Sequence, residues 1–323
     1  MTNRPIVAPP GHRASPVDVS VLVPARDEAE NLPTFLDLCA ETFAGRPERY
    51  EVIVVDDGSR DATPAVLAAA MARHPFVRTV RHRSGRGIAD ALRSGYLAAQ
   101  SDILVFYPAD LQFKPEDIPR LVAPIRAGEA DIVTGRKEGK YDKAFVSGVY
   151  NWLSRVLFSI PVRDLNNVKA YRREIMDGQP ARPDWHRYMI VLAAAQGYSV
   201  AEIPVPLYPR HAGQSKFGLS RIPIGVLDML AVWFELRFSR KPLLAFGMLG
   251  AAMFVVAAIG GALLLTTGLG TRPVWAVIQT SLTLGSIFFI TGILGEQVAA
   301  LRSEQLELRR RLDDSMSAHQ RDT

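Results

Sequence analysis

The first part of the chain alternates short apolar runs with segments of helical apolar spacing. Buried strands are predicted at Val17–Pro24, Tyr50–Val55, Val77–Arg81, Ile103–Tyr107 and Asp131–Thr134. Helices are predicted between them, at Ala29–Phe43, Thr63–His74, Gly87–Gln100 and Pro115–Ala127. Strands that alternate with helices favour an α/β Rossmann-like domain, in which a mainly parallel sheet is covered on both faces.

The pattern is less regular over residues 144–220. Here we predict a helix around Phe145–Ser159, a loop through Asp164–Lys169, a helix around Asp184–Gln196 and a strand near Val200–Leu207.

Two long uncharged stretches follow. Leu243–Leu269 has 27 residues without a charge and Pro273–Gly295 has 23. Since a bilayer span needs about 20 apolar residues, these predict a two-helix transmembrane hairpin joined at Gly270–Arg272. A buried core hairpin is the alternative. The preceding segment, Ile222–Phe238, mixes apolar and charged residues and suits an interfacial helix on the membrane surface.

Basic residues are distributed unevenly around the hairpin. The connector carries only Arg272, whereas the two flanks carry Arg237, Arg240, Lys241, Arg302, Arg309, Arg310 and Arg311. The positive-inside rule predicts that the globular domain and both termini are cytoplasmic, in a plasma or inner membrane.

These patterns divide the chain into five segments. We predict a disordered, proline-rich lead-in, a globular domain, a juxtamembrane interfacial helix, two transmembrane helices and a charged cytoplasmic tail, over residues 1–16, 17–220, 221–241, 242–296 and 297–323. Cys39 is the single cysteine, which excludes an internal disulfide.

The formal net charge of +5 fits an anionic membrane, a phosphorylated substrate or nucleic acid. The basic residues do not form a tract with interleaved aromatics, which argues against nucleic acid as a partner. Membrane lipids remain the expected surroundings, and association of several copies of the chain stays open.

The candidate chemistry lies at strand ends, where ligands bind in parallel sheets. Asp56-Asp57-Gly58-Ser59 follows the second strand, although such a turn can also simply cap the next helix. Asp110 and Gln112 follow the fourth strand. Their carboxylate and amide oxygens can reach one hard cation, Mg²⁺ or Mn²⁺, which would neutralise a diphosphate leaving group.

Several motifs together resemble the family 2 glycosyltransferases. Val21–Glu28 is similar to their V-x-V-P-x-x-N-E opening, and Asp56–Ser59 matches D-D-G-S. Asp110–Gln112 matches the end of D-x-D-L-Q in the branch of dolichyl-phosphate mannose synthases and bactoprenyl-phosphate glycosyltransferases. Further segments resemble G-S-R, F-x-x-x-R-R, R-x-x-G-x-S-K-[YF] and G-L-L-G-E of that branch: Thr134–Arg136, Ala170–Arg173, Arg210–Phe217 and Gly292–Glu296.

The resemblance implies a GT-A fold and inverting transfer of a sugar from a UDP- or GDP-linked donor to undecaprenyl or dolichyl phosphate. It implies that the donor is bound by Pro24, Arg26, Glu28, Asp56, Asp57, Arg210 and Lys216. The implied metal ligands are Asp110 and Gln112, and the implied acceptor-phosphate residues are Arg136 and Lys143. Asp164 would position the acceptor and, with Asp110 and Arg136, complete the catalytic set.

Two positions depart from the family pattern. Pro108 replaces the first aspartate of D-x-D, and Asp27 replaces the asparagine of the opening motif. Two alternatives stay open. One is a membrane polysaccharide synthase, to whose Q-x-x-R-W motif Trp185-His186-Arg187 is distantly similar. The other is a nucleotide-sugar-binding scaffold weakened in catalysis by Pro108. A phosphate acceptor is already ionised near pH 7, so the transfer chemistry requires alignment and charge stabilisation more than a strong base.

Overall fold

The computed structural model describes residues 16–138, 157–158, 167–177, 185–209, 222–238, 241–267 and 272–319. The chain falls into two compact units, Met1–Val226 and Leu227–Thr323.

The first unit is built on a sheet with the strand order β3-β2-β1-β4-β6-β5-β7. Its strands are β1 (Val19–Ala25), β2 (Tyr50–Asp56), β3 (Val77–Arg81), β4 (Ile103–Phe106), β5 (Ile132–Glu138), β6 (Lys169–Arg172) and β7 (Val200–Pro206). β6 runs antiparallel to both of its neighbours, β4 and β5, whereas the other pairings are parallel. The predicted, mainly parallel α/β sheet is thus confirmed.

Helices connect and cover these strands. They are α1 (Leu32–Phe43), α2 (Thr63–Arg73), α3 (Ile88–Ala98), α4 (Ile118–Arg126), α5 (Arg173–Asp177) and α6 (Trp185–Ala195). Close packing of α3 on the sheet depends on Gly95, because a Cβ there would lie 3.3 Å from the side chains of Leu22 and Val55. Because β1 pairs in parallel with both β2 and β4, the carboxyl ends of these three strands meet at one edge of the sheet.

The region after β5 differs from the prediction. β5 continues four residues beyond Thr134. β6 begins at the last residue of the predicted loop Asp164–Lys169 and continues into the Ala170–Arg173 motif. β6 has polar residues at both ends, Lys169 and Arg172, so its sequence lacks an apolar run. Its strand conformation is imposed by pairing with β4 and β5. Most of the helix predicted around Phe145–Ser159 lies outside the described residues.

Three helices follow along the chain: α7 (Ile222–Phe238), α8 (Pro242–Thr267) and α9 (Arg272–His319). Pro242–Thr266 and Arg272–Gln305 are long and apolar enough to cross a membrane, with mean hydropathies of 2.4 and 1.7. The charged tail continues the second of these helices without a break up to His319. The predicted apolar hairpin is therefore present, whereas the interfacial position of α7 stays a prediction.

Glycines bring α8 and α9 close together. A Cβ at Gly250 would lie 2.9 Å from the carbonyl oxygen of Gly285, and a Cβ at Gly285 would lie 2.9 Å from the Phe254 ring. At one end of the pair, the backbone N–H of Leu243 donates to Glu296 Oε2 at 3.3 Å. Small residues at such crossings are typical of helices packed in membranes.

Candidate active site

Each of three loops at the sheet edge contains one residue with a left-handed backbone. The residues are Asp27 after β1, Gly58 after β2 and Leu111 after β4, with φ of 57°, 71° and 58°. Asp27 and Leu111 carry a Cβ, so each conformation costs about 1 kcal/mol or more and persists only where surrounding contacts hold it. Strain of this kind is concentrated at functional sites.

Reciprocal hydrogen bonds join the loops that follow β1 and β2. The backbone N–H of Asp27 donates to Ser59 Oγ at 2.9 Å, and the N–H of Arg60 donates back to Asp27 Oδ1 at 2.9 Å. The N–H of Glu28 donates to Thr63 Oγ1, also at 2.9 Å. The opening motif and the D-D-G-S turn therefore form one surface.

Asp56 is buried at the base of this surface, with 1% of its area exposed. Its Oδ1 accepts the N–H of Ser59 at 2.8 Å, which closes the turn. Its Oδ2 lies 3.2 Å from Arg81 Nε. The first aspartate of the motif thus shapes the turn and pairs with a cation on β3.

Asp57 holds a third loop, the one between β3 and α3. Its Oδ1 lies 2.8 Å from His82 Nδ1 and accepts the N–H of Arg86 at 2.8 Å, while Oδ2 accepts the N–H of Gly87 at 2.8 Å. Burial alone would raise the pKa of Asp57, but these hydrogen bonds favour the carboxylate and lower it below its usual value. On the other side of the ring, His82 Nε2 lies 2.9 Å from Ser94 Oγ.

Ser94 lies inside α3, so the contacts of His82 connect Asp57 to this helix. The Asp57–His82–Ser94 chain is therefore a support for the loop. The sequence analysis did not predict a role for His82 or Ser94, because their roles depend on Asp57, which is 25 residues before His82.

Two glycines allow the three loops to meet. A Cβ at Gly58 would lie 2.6 Å from the backbone carbonyl carbon of Ser84. A Cβ at Gly85 would overlap the guanidinium of Arg26. Arg26 is exposed, and its Nε lies 3.9 Å from Asp27 Oδ2. The surface thus offers a guanidinium plane beside the D-D-G-S turn.

Asp110 and Gln112 form a tight turn on the other side of β1. The N–H of Gln112 donates to Asp110 Oδ1 at 3.2 Å, and the Gln112 carbonyl oxygen accepts the N–H of Tyr208 at 2.9 Å. Both side chains are half-buried, as is Pro108. The turn is fixed from two sides, so the two side chains project from a defined backbone.

The donor set of this turn fits a hard cation. A carboxylate and an amide oxygen are ligands that Mg²⁺ and Mn²⁺ accept, and Mg²⁺ usually completes its shell with substrate phosphates and water. Within the described part of the chain, no group of three His, Cys, Asp or Glu side chains could hold a metal. Among the described residues, Asp110 and Gln112 would therefore hold a cation here, with water and substrate phosphates completing its shell.

Arg136 lies near the carboxyl end of β5, opposite Pro204 of β7. Its side chain is 35% exposed, and Nη2 lies 3.1 Å from Glu138 Oε1. The preceding Gly135 has no room for a side chain, because a Cβ would lie 2.8 Å from both Val168 and Val205.

Pro24 is half-buried at the end of β1, opposite Val55. Four predicted site residues lie outside the described residues: Lys143, Asp164, Arg210 and Lys216.

A model of glycosyl transferase family 2 matches residues 20–178. The chain is 28% identical over 298 residues to a dodecaprenyl-phosphate galacturonate synthase of Rhizobium johnstonii, covering 88% of both chains. It is 29% identical over 304 residues to an undecaprenyl-phosphate 4-deoxy-4-formamido-L-arabinose transferase of Pseudomonas fluorescens, covering 88% of this chain and 86% of the relative.

Among solved structures, the fold is similar to glucosyl-3-phosphoglycerate synthase from Mycobacterium tuberculosis in complex with Mn²⁺, uridine diphosphate and phosphoglyceric acid. The TM-score is 0.56 at 20% identity, covering 68% of this chain and 78% of that one. At this identity the similarity establishes the fold alone.

Proposed function

Because the chain carries a family 2 glycosyltransferase domain over residues 20–178, we propose that it transfers a sugar from a nucleotide-sugar to a polyprenyl phosphate. The observation that carries this proposal is the length of the match to polyprenyl-phosphate transferases. The first unit ends at Val226, so a match over 88% of the 323 residues extends into the apolar helices. The relatives are named for transfer to a polyprenyl phosphate, and their similarity to this chain covers residues of both the first unit and the apolar hairpin.

The donor is assigned to the surface formed by the loops after β1, β2 and β3. Arg26 is exposed there beside Gly85, and Pro24 and Glu28 flank it. Asp56 and Asp57 fix the backbone of this surface through Ser59, Arg86 and Gly87. A solved structure of similar fold was obtained with uridine diphosphate, which supports a nucleoside diphosphate as part of the donor. Arg210 and Lys216 are proposed to contact the donor phosphates.

Asp110 and Gln112 are the proposed ligands of Mg²⁺ or Mn²⁺. A cation held by these two residues would neutralise charge on the donor diphosphate. The loop keeps Asp110 in place through Gln112 and Tyr208, so the carboxylate need not reorganise when the donor binds.

The proposed reaction is a displacement at the anomeric carbon. An oxygen of the lipid phosphate forms the new bond to that carbon, the bond to the diphosphate oxygen breaks, and a nucleoside diphosphate leaves with the electron pair. The phosphate is already ionised near pH 7, so no proton must be removed from it. Arg136 and Lys143 are proposed to bind this phosphate and Asp164 to orient the acceptor, with inversion at carbon.

The apolar helices α8 and α9 are proposed to anchor the enzyme beside its lipid substrate. A hairpin with an even number of spans returns the chain to the side on which it started, and the basic flanks predict that this side is the cytoplasm.

A donor panel tests the proposal. The full chain is reconstituted in nanodiscs with undecaprenyl phosphate and Mg²⁺, and each radiolabelled UDP- or GDP-sugar is added in turn. We expect label in the organic extract with at least one donor. A label that instead enters a growing polymer indicates the polysaccharide synthase. Donor binding without transfer of label to any acceptor indicates the scaffold.

A further inference from the structure

Helix α9 continues well beyond the helix with which it is paired. The first residue of α8, Pro242, lies beside Gly295, because a Cβ at Gly295 would lie 2.8 Å from the Pro242 Cβ. From Gly295 onward α9 runs without a break to His319, which is about 36 Å of helix at about 1.5 Å per residue. α8 therefore does not extend along this part of α9, which we name the tail helix.

Apolar residues repeat along the tail helix with the spacing of a coiled coil. Leucines recur at every seventh position, and Val298 and Gln305 lie between them, at alternating steps of four and three residues. This is the pattern of heptad positions a and d, with the leucines at d. We name these five residues the seam: Leu294, Val298, Leu301, Gln305 and Leu308. Within residues 296–308, Leu306 is the leucine outside it.

The seam is open to solvent in the structure. Its four apolar residues are 59–64% exposed, and Gln305 is exposed as well. A continuous exposed apolar patch marks an interaction site, because it loses contact with water when a complementary surface covers it.

A second copy of the same chain has the complementary surface. Valine at an a position with leucine at d favours two parallel helices, and a single polar residue at a, here Gln305, fixes their register. Charge favours the same arrangement. In the sequence, Glu304 and Arg309 fall at g and e of successive heptads, the positions at which opposite charges attract across two parallel helices.

The apolar hairpin supplies the parallel arrangement. Copies anchored in one membrane by α8 and α9 have the same orientation, so their tail helices run in the same direction and begin at the same height. Their seams then meet in register without a shift along the helix axis. Two heptads bury little apolar surface, but confinement to one membrane raises the effective concentration of the second copy.

We propose that the seam is a self-association surface, through which two copies of the chain form a short parallel coiled coil. This inference rests on the membrane anchoring in the proposed function. To lie on the membrane surface instead, the seam would require a kink in the tail helix. α9 is continuous there, and residues 296–319 contain no proline or glycine at which helices usually kink.

Two cysteine variants, two residues apart, test the seam. Leu301→Cys places a thiol at position d, and Ser303→Cys places one at position f on the opposite side; both positions are exposed. The wild-type chain is the baseline, because its single cysteine, Cys39, is buried. Each full chain is reconstituted in liposomes of phosphatidylcholine and phosphatidylglycerol and oxidised with copper phenanthroline. Disulfide-linked dimer is measured on non-reducing gels, and maleimide labelling of a second sample measures access to the thiol.

We expect at least about fivefold more dimer from Leu301→Cys than from Ser303→Cys. A disulfide requires Cα atoms within about 7 Å, a distance that opposed d positions meet and outer f positions do not. The difference should persist when lipid is added in excess, since random collisions then become rarer. Adding Leu308→Glu to the Leu301→Cys chain should lower its dimer to the level of Ser303→Cys, because two carboxylates would face each other in the seam.

Four results would overturn the inference. Equal dimer from the two cysteine variants would indicate random collisions, and more dimer from Ser303→Cys would assign association to another face. No dimer from a Leu301→Cys chain that reacts with maleimide would leave the seam unpaired. No dimer and no reaction would indicate that lipid or another part of the same chain covers it. The proposed function fails separately, if the wild-type chain transfers no sugar to undecaprenyl phosphate in the same liposomes.

Discussion

The Asp57 carboxylate lies 2.8 Å from His82 Nδ1 and also accepts the N–H groups of Arg86 and Gly87. The second aspartate of the D-D-G-S turn therefore organises the loop between β3 and α3. This loop contacts Arg26 through Gly85, so Asp57 links three loops of the proposed donor surface.

Asp57→Asn should weaken donor binding. An amide cannot accept from both backbone N–H groups with its two terminal atoms, so one partly buried donor loses its partner, at a cost of about 1 kcal/mol. We expect the donor KM to rise about tenfold with little change in lipid KM. Asp90→Asn is the matched control, since Asp90 makes an exposed ion pair with Arg86 at 3.4 Å. Equal effects of the two variants would contradict this role.

The Asp57 contacts should also depend on acid pH. Because the folded-state pKa of Asp57 is lowered, its contribution to stability is present above the unfolded value, near pH 4, and is lost as the pH falls through the folded value. The difference in thermal midpoint between wild type and Asp57→Asn should stay constant from about pH 7 to pH 5 and shrink below about pH 4. A difference that grows on acidification would contradict the lowered pKa.

Asp110→Asn should reduce kcat by about a hundredfold or more, the usual cost of losing a main electrostatic stabiliser. Pro108→Ala is its natural comparison, because Pro108 lies two residues earlier in the same loop and offers no ligand. We expect the alanine variant to retain activity within about fivefold and the asparagine variant to need more Mg²⁺. Equal losses in steady-state assays would mean that loop shape, and not ligation, sets the role of Asp110.

Arg136→Ala should raise the KM for the polyprenyl phosphate more than the KM for the donor. Arginine binds phosphate through a planar fork of donors that lysine lacks, so Arg136→Lys should recover only part of the loss. Nucleotide titration without lipid separates the two sites. Weakened nucleotide binding with normal lipid dependence would move Arg136 to the donor site.

Gly250→Ala should lower the thermal midpoint of the purified chain in detergent. Its new Cβ would lie 2.9 Å from the Gly285 carbonyl oxygen, so α8 and α9 would have to separate. Gly261→Ala is the matched control in the same helix, because a Cβ there meets nothing within 4 Å. Alanine also improves helix propensity by about 1 kcal/mol, so the control should be as stable as the wild type or more stable. Equal midpoints for both variants would contradict close glycine packing.

The sequence predicted the elements with strong apolar patterns. β2 and β3 match their predicted bounds within a residue, because Tyr50–Val55 and Val77–Arg81 carry their own strand signal. The placement of Asp57 and Asp110 at one edge followed from the rule for parallel sheets.

The missed features depend on tertiary contacts. β6 became a strand through pairing with β4 and β5, despite Lys169 and Arg172 at its ends. The role of His82 required the position of Asp57, and the burial of Lys169 required the position of His186. A local pattern contains none of these distances.

The most direct test of the central claim is the chemical balance of a single turnover. Undecaprenyl phosphate and the active nucleotide-sugar are incubated with the reconstituted chain, and lipid and nucleotide products are quantified by mass spectrometry. The account predicts a lipid heavier by one glycosyl residue with its single phosphate retained, and one nucleoside diphosphate released per lipid. Release of a nucleoside monophosphate with a lipid diphosphate-sugar, or a product that carries no lipid, would contradict it.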